Sequence, residues 1–173
     1  LALHNYEAAV GCFPPGNIGY KWTAQATDVP QYNCFGPLAR ILPGLEQESL
    51  YNKINFNESF ANPVNTPVAG TPVNTYLCPS YAGPISAGAY HYRGFYSSAS
   101  PFPAYVSCYL AVVGYVSNGT SCGSPNGAGQ APAANQLGMF YVNSKTRIAD
   151  VTDGTSNTFM YGEFRPTMMS EIG

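Results

Sequence analysis

Leu1-Ala2-Leu3-His4-Asn5-Tyr6-Glu7-Ala8-Ala9-Val10-Gly11-Cys12-Phe13-Pro14-Pro15-Gly16 decides how the chain is read. The first ten residues hold good helix formers, yet no Ser, Thr, Asp or Pro opens the helix. Gly11 suits the left-handed position past a helix end, and Pro14-Pro15 cannot continue one. The segment therefore reads as the distal end of a helix already under way, and an upstream helical segment is expected. Leu3, Tyr6 and Val10, at i, i+3 and i+7, mark its expected packing side.

Composition narrows the class. The chain has 173 residues, enough for one domain with a real core. Only 9% are charged, against about 25% in typical domains. With 14 Tyr and 9 Phe it does not look disordered, since disordered chains are aromatic-poor. A surface so short of charge has little to oppose self-association. The net charge of −2 and the scattered basic residues Lys21, Arg40, Lys53, Arg93, Lys145, Arg147 and Arg165 argue against a nucleic-acid partner. No apolar run approaches the ~20 residues of a membrane span.

Beyond the first stop, helix comes before strand. Pro37–Tyr51 reads as a second helical stretch, kinked or split at Pro43-Gly44. Strands are expected near 73–78, 105–116, 138–142 and 158–163, with Val106, Cys108, Leu110 and Val112 on one face of the second. Asp153-Gly154 signals a tight turn. The first helix is expected to pack on an antiparallel sheet built from these strands, an α+β arrangement.

Five cysteines contain no Cys-x-x-Cys pair, so neither a zinc ribbon nor a haem site is indicated. An exported, oxidised protein fits better. Disulfides Cys12–Cys34 and Cys108–Cys122 would each close a moderate loop, worth roughly 3 kcal/mol in the chain-entropy model. The only histidines, His4 and His91, read as solvent-facing or locally bonded side chains. No Gly-x-Ser-x-Gly elbow or phosphate-binding Gly-rich motif accompanies them, so no enzyme is expected.

Asp150, Asp153, Asn157 and Glu163 offer oxygen ligands to calcium, a hard cation. The competing reading is a turn, in which Asp153 shapes the bend, Asp150 caps it and Asn157 bonds the backbone. The turn reading is preferred, and no other cofactor is indicated. Asn57-Glu58-Ser59 and Asn118-Gly119-Thr120 match the glycosylation sequon at Asn57 and Asn118.

Four landmarks in order resemble one family. They are Leu1–Glu7 with Cys12-Phe13-Pro14-Pro15-Gly16; Ile41-Leu42-Pro43-Gly44-Leu45-Glu46-Gln47 with Leu50-Tyr51-Asn52; Thr75-Tyr76-Leu77-Cys78-Pro79-Ser80; and Gly138-Met139-Phe140 through Arg147-Ile148-Ala149-Asp150-Val151-Thr152-Asp153-Gly154-Thr155-Ser156-Asn157-Thr158 to Gly162-Glu163. Together they resemble planctomycete-type prepilin-like proteins, relatives of type IV pilins and type II secretion pseudopilins.

The resemblance implies a single pilin-like domain over 1–173, with 1–11 the distal end of the N-terminal helix and 12–173 the helix, loops and sheet. It implies an upstream apolar segment that anchors the precursor in a membrane and later packs in a filament with copies of itself. Leu1, Leu3, Tyr6 and Val10 would belong to that assembly helix, and a cysteine in the preceding segment would pair with Cys78. The implied function is a non-enzymatic structural subunit of a filament outside the cell or at its surface. Some pseudopilins also bind calcium near their C-terminus. Three features depart from the family pattern: the anchor is absent from this sequence, it stops soon after Glu163, and Tyr81 follows Cys-Pro-Ser where Asp is common. A secreted adhesin or carbohydrate-binding module, using the Tyr/Gly-rich stretch from Tyr90 to Tyr109, is the alternative. A secreted hydrolase is the third and weakest.

Overall fold

The structure is a computed structural model, described for residues 1–16, 35–58, 62–83, 86–87, 104–112, 138–141 and 143–164. The first helix, α1, runs from Ala2 to Val10 and ends at Gly11, whose φ of 85° is left-handed. The Gly11 N–H closes the last turn on the Glu7 carbonyl at 2.7 Å. Past this stop the chain runs beside Tyr141 and Thr146. Phe13 N–H donates to the Thr146 carbonyl at 2.7 Å, and Gly16 N–H donates to the Tyr141 carbonyl at 3.1 Å. A Cβ on Gly16 would lie 2.0 Å from the Phe140 carbonyl oxygen, so only glycine permits this approach.

The second helical stretch is split where Pro43-Gly44 stands. It becomes α2 (Pro37–Arg40), a 3₁₀ turn (Leu42–Leu45) and α3 (Glu48–Tyr51). Pro43 supplies no N–H, and Glu46 takes a left-handed φ of 61° to redirect the chain. Leu42, Leu50, Phe35 and Ile54 close into one core cluster, joined at its edge by Val68 of α4 (Thr66–Ala69), Val73 and Tyr76. A second cluster is built from Phe13, Met139 and Phe140, with Leu3, Ala111, Val151, Met160 and Tyr161 packed around it.

Two small antiparallel sheets complete the described elements. In one, β1 (Ser86–Ala87) pairs with β2 (Ala104–Tyr105). In the other, β3 (Tyr109–Ala111) pairs with β4 (Tyr161–Glu163), with Leu110 opposite Gly162. Just past β3, Phe140 N–H donates to the Val112 carbonyl at 3.2 Å.

Three expected strands come out differently. Residues 73–78 hold a 3₁₀ turn over Asn74–Tyr76. Val73 and Tyr76 enter the core together, a spacing of three that a turn satisfies and a strand does not. Around 138–142, Met139 and Phe140 are consecutive and both buried, which defeats the alternation of a strand. Asn143, at φ 57°, then turns the chain. Between 105 and 112, Ser107 breaks the run: its hydroxyl accepts from Tyr109 N–H and donates to the Tyr109 carbonyl, both at 3.1 Å. Cys108 is therefore buried while Leu110 is 56% exposed, so the two do not share a face.

The packing of α1 also differs from expectation. Its main neighbour is the Leu42–Leu45 turn, where a Cβ on Gly44 would come within 3.0 Å of the Ala2 Cβ. Leu3 does reach the Phe13–Phe140 cluster, and Tyr6 is half-buried, but Val10 is 56% exposed.

Candidate functional site

The residues singled out for calcium are not gathered. Asp150 is taken by Arg147 in a bidentate pair, with Nη2 to Oδ1 at 2.9 Å and Nε to Oδ2 at 3.1 Å. The Arg147 N–H adds a third bond to Oδ2 at 2.9 Å. These hydrogen bonds hold the Asp150 carboxyl below its ordinary range. Asn157 donates its amide to the Asp153 carbonyl at 3.0 Å, and Thr158 donates to the Gly154 carbonyl at 3.1 Å. Gly154 takes a φ of 88°. Glu163 lies apart, on β4 opposite Tyr109. Among the described residues no group of three His, Cys, Asp or Glu side chains is placed to hold a metal. The cluster is a turn whose side chains bond its own backbone.

The thiols of Cys12, Cys78 and Cys108 are free, and the expected partners Cys34 and Cys122 lie outside the described residues. Cys78 Sγ lies 3.0 Å from the Ser80 hydroxyl. Asn57 is exposed, whereas Asn118 and most of the Tyr/Gly-rich stretch, including His91, lie outside the described residues. His4 is exposed and meets Phe13 edge-on at 5.8 Å between ring centroids.

Helix α1 is packed unevenly. One side is closed by Ala2 and Leu3. On the side opposite Leu3, Leu1, Ala8 and Ala9 are exposed together with the polar His4 and Asn5, and Val10, on the Leu3 side, is 56% exposed beyond the packed turn. Glu7 is the only ionisable carboxylate on this helix, and it is half-buried. Beside it, Tyr6 approaches Arg40 of α2. Burial raises the Tyr6 phenol above its ordinary value, and the guanidinium works in the opposite direction.

Two groups escaped the sequence reading. Asn65 is 1% exposed and holds the backbone of Asn55. Its Oδ1 accepts from Asn55 N–H at 2.9 Å, and its Nδ2 donates to the Asn55 carbonyl at 3.0 Å. Nothing in the Asn/Pro/Thr-rich run marks it out from its neighbours. Tyr76 and Tyr161 form the other group. The Tyr76 hydroxyl donates to the Leu38 carbonyl at 2.6 Å, and Tyr161 meets the Phe140 ring edge-on at 5.3 Å between centroids. Burial raises both phenols, and Tyr76 raises Tyr161 further.

The described residues thus define a small chain of short helices and two-stranded sheets, with two apolar clusters and no assembled catalytic or metal constellation among them. The model of the family described as "Protein of unknown function (DUF1559)" matches residues 1–171, and the chain belongs to that family. No curated protein and no solved structure matches it.

Proposed function

We propose that this chain is the outward domain of a prepilin-like subunit, a non-enzymatic building block of a filament of the type IV pilus or pseudopilus kind at the cell surface. The observation that carries the reading is the α1 surface. Leu1, Ala8 and Ala9 are left in water, beside His4 and Asn5, on the side of the helix opposite the packed Leu3. Apolar side chains on an otherwise folded helix gain by meeting a second apolar surface. A helix in the neighbouring subunit supplies one. The sparse charge of the whole chain and the four landmarks of the prepilin-like pattern support the same reading.

The test is assembly of the full-length protein from its native source, followed by electron microscopy and sedimentation. The double variant Ala8→Glu/Ala9→Glu is expected to abolish filaments and leave the melting temperature of the domain within a degree or two, because both positions are exposed. A full-length protein that stays monomeric, or a double variant that assembles like its parent, rejects the reading.

A further inference from the structure

We draw no further inference here: the strongest candidate, the exposed apolar side chains of Leu110 on β3 and Phe159 just before β4, carries none because nothing in the structure shows what covers them.

Discussion

At the scale of single residues, glycine and buried polar groups carry the sharpest expectations. Gly16→Ala drives a Cβ to 2.0 Å from the Phe140 carbonyl oxygen, against backbone that cannot step aside. It should cost about 2 kcal/mol or more, the range for overpacking and backbone shift. Gly154→Ala meets no clash but must hold a φ of 88°, so a cost of about 1 kcal/mol is expected. Gly162→Ala enters open space and should fall within about 0.5 kcal/mol of the parent. Thermal melts that do not follow this order contradict the close approach at Gly16. Asn65→Ala leaves the Asn55 N–H and carbonyl without their partner and should cost about 2 kcal/mol. The tyrosines set the alkaline limit. Tyr76 and Tyr161 ionise less readily folded than unfolded, because burial penalises the phenolate. Their contribution is complete below pH 10.0 and is lost as pH climbs above it. Absorbance titration at 295 nm should show two phenols that ionise only as the chain unfolds; two that titrate freely near 10 would count against their burial. Asp150 works in the acid direction. Its carboxyl is held low by Arg147, so its contribution stands above about pH 4 and fades as pH falls through the folded value.

At the scale of elements, α1 is stabilised from one side only. Leu3 is half-buried on the Phe13–Phe140 cluster, whereas Val10 points into water. Leu3→Asp should therefore destabilise by about 2 kcal/mol, less than for a fully buried site, because part of the new charge stays hydrated. Val10→Asp should change stability by less than about 0.5 kcal/mol. Equal melting temperatures for the two variants would sink this account of how α1 docks. The helix end, the split at Pro43-Gly44 and the Asp153-Gly154 turn were legible in the sequence, because glycine and proline act through their own backbone. The strands were legible only in part: β3 and β4 lie inside the expected 105–116 and 158–163 and pair antiparallel, whereas 73–78 holds a 3₁₀ turn. Alternation over 73–78 and 105–112 is a weak signal where runs are short. A tyrosine seeking the Leu38 carbonyl and a serine bonding Tyr109 outweigh it.

At the scale of the whole molecule, charge is what this chain lacks, and its association should reflect that. Contacts made through α1 and neutral polar surface are expected to survive salt near 1 M, where the screening length is about 3 Å. Filaments that dissolve under those conditions, followed by light scattering, would show that charge pairs hold the subunits together. What the sequence determined by itself is local or compositional: where the first helix stops, where the second divides, where the chain turns, and how few charges there are to keep copies apart. Each follows from the chemistry of one or two adjacent residues or from a sum over all of them. What only the tertiary structure decided is which groups meet. Asp150 binds Arg147 instead of joining Asp153 and Glu163 around a cation, because β4 carries Glu163 to Tyr109. Arg40 of α2 lies over the Phe56 ring, and Gly44 lets α1 come down onto the Leu42–Leu45 turn. The Arg147–Asp150 pair is local, three residues apart, whereas Glu163 with Tyr109 and Arg40 with Phe56 join residues distant in the chain, and no local preference of either partner encodes those meetings.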